Sequence, residues 1–259
     1  MMRRYSTGGC AMPVPRSETT VGAVDGFAQW TRSVAPADLD IPARSIPISP
    51  AIGTLTDPDG AVVARDSDEP LVIPCHPRLS MIPAYSRAGW TAAHPTVLVR
   101  SSVADRLYAV AEDLPSPWGL HIYDAWRPVE LQAELFDAAY ANPDLPPGFL
   151  APPSTDPRTP PPHLTGGSVD LTLSWRGIPL SLGTPFDAFS DAAHTAALEH
   201  LDDLNRNARR WLVALMRSAG FIVLHCEWWH FEFGTRRWAA ITGHDAMYGA
   251  TMPPQQITN

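Results

Sequence analysis

Apolar positions change their period several times along the 259-residue chain, and each change marks an element. Between Thr96 and Leu114, the residues Val99, Val103, Leu107 and Val110 recur at three- and four-residue steps, which predicts a helix with one core-facing side, ended by Pro115. After Pro117 the segment GLHIYDAW alternates as a short strand, and VELQAELFDAAY, entered at Pro128, predicts a second helix. SVDLTLSW sets Val169, Leu171 and Leu173 against Asp170 and Thr172. That is the period of a half-buried strand, with Asp170 displayed on the face opposite the core side chains. From Ala192 to Gly220, Leu198, Leu201, Leu204, Trp211, Leu212, Leu215 and Met216 predict one helix or two, closed by a glycine cap. FIVL and EWWHFEF predict strands.

Proline sets the punctuation. Residues 1–45 mix Pro, Ser, Thr, Arg and Gly around one apolar cluster, AVDGFAQW, and read as a partly irregular arm. From Ile46 to Leu79, short apolar runs between prolines predict extended segments around the DPDG turn at Asp57 to Gly60. Proline is dense again from Asn142 to Pro162, which predicts a long surface loop leading straight into His163. Helices and strands interleave without a regular βαβ repeat, so the expected class is α+β: one domain over residues 46–259, with a mostly antiparallel sheet flanked by helices.

Composition narrows the function classes. Hydrophobic residues make up 45% and charged residues 18%, ordinary for a soluble globular chain. Nineteen Lys and Arg against 27 Asp and Glu give a net charge of -8, with no basic run, so a nucleic-acid partner has no electrostatic footprint. MMRRY is not followed by an apolar stretch and no segment approaches a membrane span, so neither export nor a membrane partner is expected. Cys10, Cys75 and Cys226 form no CxxC pair, which points to a reducing compartment, with cytoplasm as the default. Cys226, beside Glu227, reads as a small buried filler rather than a nucleophile. Oligomeric state is left open.

The chemistry gathers in two stretches. A catalytic zinc site needs three protein ligands and one open position. His163 and Asp170 are separated by a segment holding Gly166 and Gly167, which lets the backbone turn so that both face one point, and His230 supplies a third donor. Glu227 lies three residues before His230, and in a regular strand these two would face opposite sides. The expectation is therefore an irregular backbone between His225 and Trp229, bringing Glu227 to the metal's water as a base. His76, His94, His121, His194, His200, His225 and His244 read as structural, with His225 the one nearest the site in sequence. Trp228, Trp229, Phe231 and Phe233 read as core, with one tryptophan a candidate pocket wall.

These residues resemble the zinc D-alanyl-D-alanine dipeptidases, relatives of the vancomycin-resistance dipeptidase. His163-Leu-Thr-Gly-Gly-Ser-Val-Asp170 is similar to the family's first metal motif, and Glu227-Trp-Trp-His230 to its base and third ligand. Asp124-Ala-Trp-Arg127-Pro128 looks like the segment carrying the family's catalytic arginine, and Gly183-Thr-Pro-Phe-Asp187 like the one whose aspartate holds the substrate's free amino group. Taken alone, Arg127 could equally cap a strand, and Asp187 could be a helix N-cap. The likeness runs from about Glu69 to Gly249; it departs at Pro161, where family members often carry a substrate-binding serine, and in the unmatched arm. It implies one zinc ion per chain and hydrolysis of a small dipeptide such as D-Ala-D-Ala by metal-activated water. Another metal-dependent amide hydrolase, such as a peptidoglycan carboxypeptidase or a biosynthetic peptidase, is the alternative. A non-catalytic metal-binding module is a third reading, which a fourth protein ligand, or Glu227 turned away, would favour.

Overall fold

The structure, a computed structural model, describes residues 33–58, 60, 66–143, 150–188 and 190–253. In chain order its elements are β1 (Leu71–Val72), β2 (Leu79–Met81), α1 (Ala84–Arg87), β3 (Val99–Arg100), α2 (Ser101–Asp113), β4 (Trp118–Asp124), α3 (Val129–Tyr140), β5 (Ser168–Trp175), β6 (Ile178–Pro179), α4 (Leu204–Ser218), β7 (Ile222–Val223), β8 (His230–Glu232) and α5 (Arg236–Thr242). The α+β class holds. The main sheet runs β2-β4-β5-β8-β7, with β6 on the far part of β5; β2 is parallel to β4 and the other pairs are antiparallel. No described helix is long and apolar enough to cross a membrane.

Burial of apolar surface is what fastens the helices to this sheet. Helix α2 turns Val103, Ala104, Leu107 and Val110 inward, and α4 does so with Ala208, Trp211, Leu212 and Met216, into the core shared with Leu120, Ile122, Leu171 and Leu173. Asp203 caps α4 by accepting from the Arg206 amide. The predicted helix from Thr96 begins later than expected, because Val99 and Arg100 pair with β1 and only Ser101 onward is helical. In the segment predicted as one or two helices from Ala192, α4 alone is a long helix; residues 194–203 form turns after a short 3-10 turn at Asp191–Ala193.

A second difference concerns β5. Its eight residues are all buried, so it is not the half-buried strand its alternation suggests. The reason is position: β5 lies between β4 and β8, and its polar face looks into an enclosed site rather than into water. EWWHFEF yields a strand only at His230–Glu232, and the backbone from His225 to Trp229 is bends and turn, closed by the His230 amide on the Glu227 carbonyl at 3.3 Å. The irregularity expected there is present.

The described residues of the arm and of the extended segment that follows it pack without regular strands before β1. Val34 bridges Leu180, Ile41, Ile46 and Ile52 are buried, and short 3-10 turns occupy Pro36–Leu39 and Ala43–Ser45. Arg217 donates to the Ile52 carbonyl (3.2 Å) and Arg236 to that of Gly60 (2.8 Å), holding the segment between them against the domain. The clusters AVDGFAQW and AVVA, and Cys10, lie outside the described residues. Arg100, 1% exposed, joins distant segments by donating to the carbonyls of Glu69, Thr165 and Gly249 and pairing with Asp66.

Leu171→Ala removes a fully buried side chain from the central strand, and is expected to cost about 2–5 kcal/mol. Urea denaturation checks it: the midpoint should fall at unchanged slope, and an unmoved midpoint would contradict close packing there.

Candidate metal centre and active site

Three strands bring their polar residues into one row. Asp170 on β5 is opposite His230 on β8, and a register shift between Ile122 and Asp124 on β4 brings Asp124 opposite Asp170 on the other edge. His163 arrives from a 3-10 turn, Pro162–Thr165, just before β5. Gly166 ends that turn at φ 71°, a left-handed conformation glycine adopts without strain, and a Cβ there would meet the Leu71 side chain at 2.5 Å. The glycine therefore permits the reversal that puts His163 above Asp170.

The donor atoms converge. His163 Nε2 lies 3.1 Å from His230 Nδ1 and 3.5 Å from the nearer Asp170 oxygen, and His230 Nδ1 lies 3.0 Å from Asp170 Oδ1. Tetrahedral zinc with bonds of 2.0–2.1 Å sets its ligands roughly 3.3 Å apart, so this buried set fits such an ion. The outer nitrogens agree: His163 Nδ1 donates to the Ala125 carbonyl at 2.6 Å, and His230 Nε2 to Glu232 at 3.0 Å. Each imidazole is thereby oriented with its other nitrogen turned to the common point. Among the described residues, the group that can hold a metal consists of these three donors without a fourth.

Electrostatics favours a cation here. Burial lowers the His163 pKa to about 3, keeping it neutral and ready to ligate. For His230 burial works the same way but is outweighed by the hydrogen bonds it donates to Asp170 and Glu232, which raise it to about 10. The carboxylates thus favour a positive charge at this point, whether proton or metal carries it. Burial would likewise raise Asp170, yet His163 and His230 hold it below the usual carboxylate range.

Around this centre lies a cavity of about 90 Å³ lined by Tyr85, Arg127, Asp187, Glu227 and Arg237 among others. Glu227 Oε2 is 3.9 Å from His230 Nδ1, and burial raises its carboxyl to about 7. Arg127 lies with its Nη2 2.8 Å from Asp124 and 3.7 Å from Asp170; Nε donates to Asp124 and Nη1 to Gln132, each at 2.9 Å. Its Nη2 also reaches the Tyr85 hydroxyl at 3.3 Å, and that hydroxyl bonds Asp187. Asp187 caps no helix; it sits at φ 61° in the loop after β6, facing the cavity, with burial and then Glu227 raising it to about 7.

All six residues singled out in the sequence, His163, Asp170, His230, Glu227, Arg127 and Asp187, line this one cavity. Glu232, Tyr85, Gln132, Arg237 and Asp57 were not anticipated. Glu232 had a legible signal, since a residue two beyond His230 shares its strand face; the others come from segments whose meeting nothing local announces. His225 is partly exposed and contacts Asp57 at 3.5 Å, not a ligand. Cys226 is buried with its thiol pushed up to about 12, a filler as expected, and Trp228, Trp229, Phe231 and Phe233 are core.

The family model described as "D-ala-D-ala dipeptidase" (Peptidase_M15) matches residues 92–244. A D-alanyl-D-alanine dipeptidase of Synechocystis is 30% identical over 166 residues, 52% of this chain and 67% of that protein. One of Escherichia coli is 36% identical over 114 residues, 44% of this chain and 54% of that protein. The matches thus span between about half and about two thirds of these relatives' lengths.

A buried acid with a raised pKa destabilises the fold as it ionises. Between the ordinary carboxylate range and about 7, the unfolded chain releases the Asp187 proton while the folded chain keeps it, so stability falls as pH rises through that window. Asp187→Asn is therefore expected to raise the stability of metal-free protein at pH 8 but not at pH 4. Paired urea titrations check this; an equal effect at both pH values would contradict it.

Proposed function

Because this chain belongs to the D-Ala-D-Ala dipeptidase family, we propose that it is a zinc-dependent dipeptidase that hydrolyses D-alanyl-D-alanine or a closely related small dipeptide. The observation that carries the reading is the meeting of His163, Asp170 and His230 with Glu227 and Arg127 in one small cavity. The small cavity of about 90 Å³ around these groups favours a short substrate over a long peptide. The relatives named for D-Ala-D-Ala support the same substrate.

His163, Asp170 and His230 would hold the ion, which when bound supplies a Lewis acid able to bring the pKa of water to about 7 and to polarise a carbonyl. Glu227 takes the proton of the attacking water and delivers it to the leaving amine, a task matched by a carboxyl raised to about 7. Arg127 cannot lose its charge, and Asp124, Gln132 and Tyr85 fix its guanidinium beside Asp170, so it offers a preorganised donor to the developing oxyanion. Asp187 holds the substrate's ammonium, and the Tyr85 hydroxyl sets its distance from Arg127. Glu232, fully buried and fixed by Arg237 and Thr235, keeps His230 in the tautomer that ligates through Nδ1.

The decisive assay is release of free D-alanine from D-Ala-D-Ala by zinc-loaded protein, beside L-Ala-L-Ala and a Glu227→Ala variant. Turnover is expected on the D substrate alone, reduced about 10²–10⁴-fold in the variant. Zinc binding without turnover would remove the substrate assignment and leave a metallohydrolase of other amides. In competition with a chromogenic chelator, Glu232→Gln is expected to weaken zinc about 10–100-fold, and Asp170→Ala to abolish tight binding; unchanged affinity in both would refute the ligand set.

A further inference from the structure

We propose that Arg237 receives the free carboxylate of the dipeptide and makes the pocket selective for peptides with an unblocked C-terminus. The inference rests on the dipeptidase reading above and extends it to the other end of the substrate. A dipeptide brings an ammonium and a carboxylate, and burying either without a partner is costly. Asp187 answers the first. For the second, the charged groups lining the cavity include only two cations among the described residues, Arg127 and Arg237.

Each nitrogen of Arg127 is held by a protein partner, Asp124, Gln132 or Tyr85, and the donor it has left is the one assigned above to the oxyanion. Arg237 differs. Its Nη1 donates to Glu232 at 2.6 Å and its Nε lies 2.7 Å from Asp57 as an ion pair without hydrogen-bond alignment, while Nη2 has no partner among the described residues. The side chain is 23% exposed and stands where the catalytic cavity meets a second one of about 320 Å³, lining both. A guanidinium so placed presents rigid, permanently charged donors to a planar carboxylate.

Its setting argues for a held position rather than a roaming side chain. Glu232 grips it from β8, and Asp57 from the extended segment that Arg217 and Arg236 fasten at Ile52 and Gly60. The charge of Glu232 is already shared with His230 and Thr235. Arg237 holds that carboxylate through Nη1 alone, which leaves Nη2 for the substrate. The competing account makes Arg237 a support for Glu232 alone, acting on the metal ligand His230, and the two accounts differ in what happens when the substrate carboxylate is masked.

The experiment compares D-Ala-D-Ala with its C-terminal amide, using zinc-loaded wild-type protein and the Arg237→Gln and Arg237→Lys variants. Wild type should prefer the acid about 10–100-fold in kcat/KM, the scale of a hydrogen bond to a charged group. Arg237→Gln should erase that preference, raising KM on the acid about 10–100-fold more than on the amide, because any loss through Glu232 falls on both compounds alike, and Arg237→Lys should retain part of it. Equal losses on acid and amide would make Arg237 a support for Glu232 and overturn the proposal, as would no loss on either. Calorimetric binding of both ligands to Glu227→Gln protein, with and without Arg237→Gln, reads the same preference without turnover. If wild type cleaves neither compound, the dipeptidase reading fails. Calorimetry then decides the carboxylate site separately: a preference for the acid that vanishes with Arg237→Gln sustains it, and no preference overturns it.

Discussion

The register of β5 against both neighbours is the constraint on which the site depends. Asp170 works where it does because Asp124 stands opposite it on β4 and His230 on β8, in one row across the sheet. Side chains alternate along a strand, so a slip of one residue would turn Asp170 into the apolar core and present Leu171 to the cavity. The core opposes that slip: Val169, Leu171 and Leu173 are fully buried in the cluster shared with α2 and α4, and a one-residue shift would turn all three out of it. Packing on one face of β5 thus fixes the geometry of chemistry on the other.

That geometry concentrates negative charge. Asp124, Asp170, Asp187, Glu227 and Glu232 lie within one buried region, against the guanidiniums of Arg127 and Arg237. Burial raises Asp124, Asp187 and Glu227 to about 7, whereas Arg237 and His230 hold Glu232 near 2. One set of like residues is thereby split into carboxyls able to exchange protons near neutrality and a carboxylate that stays ionised and orients its neighbour. Such a cluster is unfavourable for folding alone, which is the signature expected of groups held for chemistry and supports the reading proposed for them.

Two layers of support surround the donors. Backbone supplies one, through the Ala125 carbonyl on His163 and the turn that joins Glu227 to His230. Side chains from distant segments supply the other: Glu232 on His230, Tyr85 between Arg127 and Asp187, and Asp57 against Arg237. The extended segment before β1, with no regular strand among its described residues, therefore contributes to the pocket as well as to the core.

The sequence by itself determined the α+β class, helix α3, strand β5 and the donors His163, Asp170 and His230 with Glu227 beside them, because each rests on a local signal: a period, a proline, or donors at fixed spacing; Arg127 and Asp187 were legible only through the likeness of their segments to a known family's motifs. It also anticipated the irregular backbone before His230, since two residues three apart cannot share a strand face and still meet. Tertiary structure decided what local signals cannot carry. Pairing on both edges buried β5 on both faces, against the half-exposed strand its alternation suggests. Pairing of Val99 and Arg100 with β1 moved the start of α2. Tyr85, Gln132, Arg237 and Asp57 joined the cavity from four separate segments, brought together only by the sheet register and by the guanidiniums that tie loops to it, which are long-range contacts no window of the sequence contains.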